Sequence, residues 1–188
     1  MGRCSGITHR GGWLAALLLL LCGSVLTAQV RTLNLREMVG SAGTIFIGSV
    51  AGVSSGSDEH GDIVTYTTFR VEQPIYGGAA GTVTVKQLGG ASGGLSTRLE
   101  HMRYFRTGER VLVAFYPISS LGFTSPIGLY QAVWNVTSDG QVLGVGDTSL
   151  GGLDALLRRY HLDRNGGTVA ASTFVSMIDD LLREAGKL

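Results

Sequence analysis

The chain has 188 residues, 44% of them hydrophobic and 15% charged, and its 15 lysines and arginines nearly balance 14 acidic residues. That balance leaves no basic footprint for nucleic acid or an anionic membrane surface, so neither is expected as a partner. Both cysteines, Cys4 and Cys22, fall in the first 28 residues, so the rest has no disulfide, thiol nucleophile or thiolate metal site.

Residues 1–28 read as an export signal. Arg3 and Arg10 give a basic start, Trp13 to Cys22 is apolar, and small residues between Ser24 and Ala28 suit cleavage after Ala28. The apolar run falls short of a ~30 Å hydrocarbon core, so no transmembrane anchor is expected once the signal is removed. Lipidation of Cys22 is the minor alternative, because that processing favours a small residue where Leu21 stands. The expected address is exported, either periplasmic or extracellular. Residues 29–188 have the length of a single domain.

In chain order, Leu35, Met38 and Val39 share helical spacing within 32–41, and Gly40 and Gly43 end that segment. A strand is expected over 44–53, with Gly48 marking a bulge or close backbone approach. Residues 54–61 read as a hairpin loop. The run 62–72 is the clearest strand: Ile63, Thr65, Thr67, Phe69 and Val71 share one face, and Val64, Tyr66, Thr68, Arg70 and Glu72 the other. Pro74 and the pair Gly77-Gly78 are expected to stop pairing before a strand over 82–88. Residues 89–108 show no clean period and read as a long irregular loop, the kind that often carries function.

A further strand is expected over 110–116 and a loop over 119–128. A hairpin follows, 130–137 with 141–145 around Ser138-Asp139-Gly140. The C-terminal segment, about 150–188, turns helical. Leu153, Leu156, Leu157 and Tyr160 mark one helix. Ser172 is the expected cap of a second, whose stripe is Phe174, Ile178, Leu181, Leu182 and Ala185. The fold class is therefore mainly β: a small OB-like, five- or six-stranded antiparallel barrel with a short N-terminal helix and C-terminal helices.

Few motifs carry chemistry. Ser54 and Ser92 each sit in a G-x-S-x-G match, but neither is followed by the helix a nucleophile elbow needs. Asp58, Glu59, His60 and Asp62 read as a solvated hairpin tip rather than a cation site, and no metal or cofactor is expected. Asn135-Val136-Thr137 is a glycosylation pattern if the host glycosylates. The strongest signal is the run of Arg98, Arg103, Arg106 and Arg110, interleaved with His101, Tyr104 and Phe105. Arginine and aromatic side chains combine contact area with directed donors and are enriched at partner surfaces.

The succession T-I-F-I-G-S-V, Y-T-T-F-R-V-E, Y-G, G-T-V-T-V-K-Q-L-G-G and F-R-x-G-E-R-V-L-V-A-F, over roughly 33–145, resembles a family of uncharacterised exported bacterial β-barrel proteins. The layout is also similar to OB-fold domains of the netrin and metalloproteinase-inhibitor type, whose first strand follows a short helix. Those inhibitors reach the catalytic zinc with an N-terminal cysteine, which is missing after residue 28 here.

The expected function is that of an exported, non-catalytic binding module, in one version a protease inhibitor. Its partner would be a protein or another envelope component, contacted through Arg98, His101, Arg103 and Tyr104. The alternative is a secreted hydrolase using His101 and Glu100 with a loop serine, and no catalytic residue is assigned.

Overall fold

Alternation along the strands sets up two apolar layers, one on each face of a five-stranded antiparallel sheet. The computed structural model describes residues 31–163 and 167–188, so the expected signal peptide lies outside the described residues. Residues Arg31–Leu188 form one compact unit. The strands are β1 (Thr44–Ser57), β2 (Ile63–Tyr76), β3 (Thr82–Leu88), β4 (Gly90–Ser92), β5 (Leu95–Thr97), β6 (Arg110–Phe115), β7 (Val133–Asn135), β8 (Gln141–Val145) and β9 (Gly167–Ala170). The helices are α1 (Leu35–Ser41), α2 (Asp147–Leu150), α3 (Asp154–Tyr160) and α4 (Ala171–Glu184). The main sheet has the order β3-β2-β1-β6-β7, and two-stranded sheets β4-β5 and β8-β9 complete a mainly β fold.

Successive residues of a strand point to opposite faces. Ile45 and Ile47 of β1, Leu112 and Ala114 of β6 and Trp134 of β7 join a cluster with Leu35, Met38, Leu156, Phe174, Ile178 and Leu182 of the helices. Phe46 and Val50, Val111, Val113 and Phe115, and Phe69 of β2 form the opposite cluster, together with Phe105. Strand β1 therefore belongs to both. Gly48 lies at one of its register shifts, and a Cβ there would come within 2.7 Å of the Arg70 carbonyl. The expected faces of β2 hold: Thr65, Thr67 and Phe69 are buried, whereas Arg70 and Glu72 are exposed.

Helix α1 starts with a reciprocal cap that the sequence reading missed. Asn34 Oδ1 accepts from the Glu37 amide, and Glu37 Oε2 accepts from the Asn34 amide, both at 3.0 Å. Helix α4 covers the sheet with Phe174, Val175, Met177, Ile178, Leu181 and Leu182, and Phe174 meets the Trp134 ring edge-on at 5.1 Å.

Several local expectations are corrected. Pro74 does not end pairing. Strand β2 runs on to Tyr76, with Pro74 opposite Phe46 at a register shift and beyond the last β3 pair, Arg70–Thr82, where no ladder hydrogen bond is lost. The β1–β2 turn is shorter than expected because β1 runs on to Ser57, while β2 begins at Ile63, one residue later than expected. Residues 89–108 contain the hairpin β4–β5. The expected hairpin around Ser138-Asp139-Gly140 closes through the Val136–Val142 bridge and the Thr137 amide, which donates to the Gln141 carbonyl at 2.8 Å, but β8 pairs chiefly with β9. Ser172 does not cap α4: β9 leads straight into the helix, and the Ala171 amide donates to the Gly140 carbonyl at 2.8 Å. Ala185 is exposed beyond the buried stripe.

Residues 123–127 run between β3 and β6. Phe123 bridges Lys86 in parallel and Pro126 bridges Phe115 in antiparallel. The Thr124 amide donates to the Lys86 carbonyl at 3.0 Å, and the Tyr116 amide to the Ser125 carbonyl at 3.1 Å.

Candidate functional site

The segment 89–107 crosses one face of the sheet as a strap, and its fastening explains where each expected site residue ends up. Phe105 is the buried plug, edge-on to Phe69 at 5.0 Å and 6.1 Å from Phe115. Arg103 is tied at both ends. Its backbone amide donates to the Leu129 carbonyl at 3.0 Å, and its carbonyl accepts from Gln87 Nε2 at 3.0 Å. Its guanidinium donates to Tyr104 O and to Glu109 Oε2, each at 2.8 Å. Tyr104 donates its hydroxyl hydrogen to the Leu88 carbonyl at 2.7 Å and accepts from the Leu99 amide at 3.3 Å. Both side chains thus hold the strap to the body of the protein.

Gly89 explains the tightness of that fastening. Its φ is +94°, and a Cβ there would fall 2.2 Å from the Tyr104 hydroxyl, so only glycine lets the ring lie down on the backbone. Thr65 Oγ1 donates to the Gly89 carbonyl at 2.6 Å and also lies 3.0 Å from Ser55 Oγ.

Arg98 and His101 stay at the surface. The Arg98 guanidinium lies 5.2 Å from the Tyr104 ring centroid, a cation–π distance. His101 has φ +61°, stands 3.5 Å from Glu100 Oε1, and tilts toward the Tyr130 ring at 6.3 Å. Of the serines in G-x-S-x-G matches, Ser92 Oγ meets Ser57 Oγ at 3.0 Å, and Ser54 pairs with Tyr66 inside β1.

The strap and the loop 116–125 enclose an open groove of about 340 Å³, lined by Leu88, Leu99, Met102, Tyr116, Pro117 and Phe123 with Thr124 and Ser125. Next to it on the loop, Ile118 and Leu121 are 70% and 56% exposed. The loop thus exposes large apolar side chains that a lone domain gains nothing from exposing. Lys86 lies 4.2 Å from the Phe123 ring centroid and braces the loop. Sequence reasoning missed this groove. Its signal was the apolar set Ile118, Leu121 and Phe123 in a stretch bounded by Pro117 and Pro126, where a plain loop would be polar.

No family model, curated protein or solved structure matches this chain.

On the other side of the strap, a smaller pocket of about 160 Å³ is lined by Ser55, Thr65, Gly90, Ser96, Arg98 and Tyr104, with Val53, Ala91 and Phe105. A third cavity, about 350 Å³, lies by Leu33, Met38, Tyr130 and Trp134. There Gln131 is spent on structure, accepting from the Leu33 amide at 2.8 Å and donating to the Arg31 carbonyl at 2.9 Å.

At the β1–β2 turn Asp58 organises the backbone. Oδ1 accepts from the His60 and Asp62 amides at 2.9 Å, and Oδ2 lies 2.7 Å from Lys86 Nζ, an ion-pair contact outside hydrogen-bond angles. The Lys86 ammonium holds the Asp58 carboxyl below its ordinary value of 3.8, with the two amides adding to the effect, and Asp58 in turn raises Lys86. Among the described residues no group of three or more His, Cys, Asp or Glu side chains is placed to hold a metal ion. Among them, too, no helix is long and apolar enough to cross a membrane.

Proposed function

We propose that the protein is an exported, non-catalytic binding module and that the groove between the strap and the loop 116–125 is its capture surface. The observation that carries this is the convergence of Leu88, Leu99, Met102, Tyr116 and Phe123 on one open groove, extended by the exposed Ile118 and Leu121. The occupant is a protein segment with apolar side chains: the lining offers area and few polar groups, and the groove has the volume of a small-ligand site while remaining open along one side. Arg98 and His101 stand on the strap as the polar rim. Arg103 and Tyr104 act indirectly by keeping the strap in place.

The scaffold is read as an OB-like barrel. Two features support it: the parallel bridge Lys86–Phe123 and the antiparallel bridge Phe115–Pro126, which link the β3 edge to β6 through residues 123–127. Export rests on the basic, apolar and small-residue succession of 1–28. A protease held in the groove would make the module an inhibitor.

The test compares immobilised wild type with Leu99→Asp and with Leu143→Asp, an exposed leucine on β8. Envelope and culture proteins of the host are passed over all three. Wild type and Leu143→Asp are expected to retain the same saturable partner, and Leu99→Asp to lose it. Equal retention by all three, or no selective retention by wild type, would refute the groove as the capture surface.

A further inference from the structure

The geometry points to a second site: the pocket under Arg98 is a carboxylate subsite, shaped for a carboxylate that has an N–H or O–H donor next to it. Among the described residues the Arg98 charge meets only the face of the Tyr104 ring. Among the described residues no carboxylate pairs with it, whereas Arg103 and Arg110 are paired with Glu109 and Glu72 at 2.8 and 2.7 Å. The Tyr104 ring beneath it limits its freedom, and Tyr104 is itself pinned through Leu88 and Leu99. A guanidinium oriented in advance loses less entropy on pairing than a free one.

The floor of the pocket sets the rest of the ligand's chemistry. Thr65 spends its one hydroxyl hydrogen on the Gly89 carbonyl at 2.6 Å, so in the 3.0 Å contact with Ser55 the donor is Ser55. Both hydrogens are then used, and what Ser55 Oγ offers the pocket is a lone pair. The site therefore presents a planar cationic fork from Arg98, a hydroxyl from Ser96, and an acceptor at its base. A carboxylate matches the fork with two parallel hydrogen bonds. A phosphate dianion would bring one uncompensated charge against the acceptor floor. At about 160 Å³ the pocket takes only a small group.

A peptide C-terminus meets these demands, with its carboxylate on Arg98 and its own amide N–H toward Ser55. An acidic side chain with a neighbouring amide is the other source of the same chemistry. Arg98 and Leu99 are consecutive, so the strap alone separates a chain end held here from the apolar groove. The subsite deepens the binding-module reading and rests on it for its biological meaning, but its existence is tested separately.

The probes are N-acetylglycine, its neutral amide N-acetylglycinamide, and doubly capped aspartate, titrated into the ¹⁵N-labelled protein and followed by amide shifts. Saturable shifts at Ser55, Gly90 and Ser96 are expected with the carboxylates, with affinity at least about tenfold weaker for the neutral amide, the loss of one charge-assisted pair. Arg98→Gln should abolish them while its unperturbed spectrum elsewhere shows the fold intact. Met102→Ser, which trims the groove wall without adding a charge beside Arg98, should leave them in place, so failure of the groove and failure of the subsite are told apart. Stronger binding of N-acetylglycine assigns the carboxylate to a chain end, and stronger binding of capped aspartate assigns it to a side chain. Either result supports the subsite. Equal binding of acid and amide, retention in Arg98→Gln, or no saturable shift overturns it.

Discussion

Lys187 places its ammonium 2.7 Å from the Ala42 carbonyl and 3.2 Å from that of Val39, closing the C-terminal end of the first helix with a residue 145 positions away in sequence. A cation there satisfies carbonyls the helix leaves open and opposes the negative end of its dipole. The Tyr76 ring, 5.0 Å from the ammonium, adds a cation–π contact.

Replacing Lys187 with methionine keeps the stem and removes those bonds, and should cost about 1–2 kcal/mol in chemical denaturation. Burial holds the Lys187 ammonium below its ordinary value of 10.5. Between the lowered folded value and 10.5 the unfolded chain binds more protons, so this lysine's contribution to stability rises with pH across that window. The difference between wild-type and Lys187→Met stability profiles should show that rise. A flat difference refutes the assignment.

Gly89 and Tyr104 should behave as one unit. Gly89→Ala must move the Tyr104 hydroxyl or the backbone and should cost more than about 2 kcal/mol. Tyr104→Phe loses two hydrogen bonds, for about 1–2 kcal/mol. The double variant should be less destabilised than the sum of the singles, because the phenylalanine removes the atom the new Cβ strikes first. Strict additivity in a double-mutant cycle would show the two sites to be independent.

Thr65 and Thr67 are neighbours on the buried face of β2, and both are nearly inaccessible. The Thr65 hydroxyl is bonded to Gly89, whereas Thr67 Oγ1 has no hydrogen-bond partner among the described residues. Thr67→Val should therefore be neutral or stabilising by up to about 1 kcal/mol, and Thr65→Val destabilising by about 1–2 kcal/mol. Matching losses in thermal melts of the two variants would contradict this.

Acid should loosen the β1–β2 turn. Lys86 lowers Asp58, and Arg159 followed by Tyr160 lowers Asp180. A depressed carboxyl contributes stability above 3.8 that is lost as pH falls through its folded value, since the unfolded chain takes up the proton first. Asp58→Asn should flatten the fall in melting temperature across that range. An unchanged acid slope would show that the Asp58–Lys86 pair contributes nothing there.

The parts of this fold that were legible in the sequence are those in which a residue's neighbours in sequence decide its fate. The alternation from Ile63 to Val71 and the helical spacing of Leu153, Leu156, Leu157 and Tyr160 are of this kind. Pairings that join distant segments were not legible. Nothing in Gly167–Ala170 distinguishes a strand from a linker until β8 lies beside it. The candidate site shows the same division. Arginine and tyrosine suit partner surfaces, but they suit internal fastening equally, and what separates Arg98 from Arg103 is that Glu109 and the Gln87 amide reach only the latter. The groove needed two loops, around Leu99 and Phe123, to be brought together by the strands between them.

Strand β1 gives Ile45 and Ile47 to one apolar layer and Phe46 and Val50 to the other. Neither layer can then dissolve while the other stays whole, because each would pull the same backbone out of register. Amide protons from Ile45 to Val50 should exchange with solvent only through global opening, and calorimetric and spectroscopic melting should coincide. The strap that frames the groove is thus mounted on a support that yields all at once or not at all.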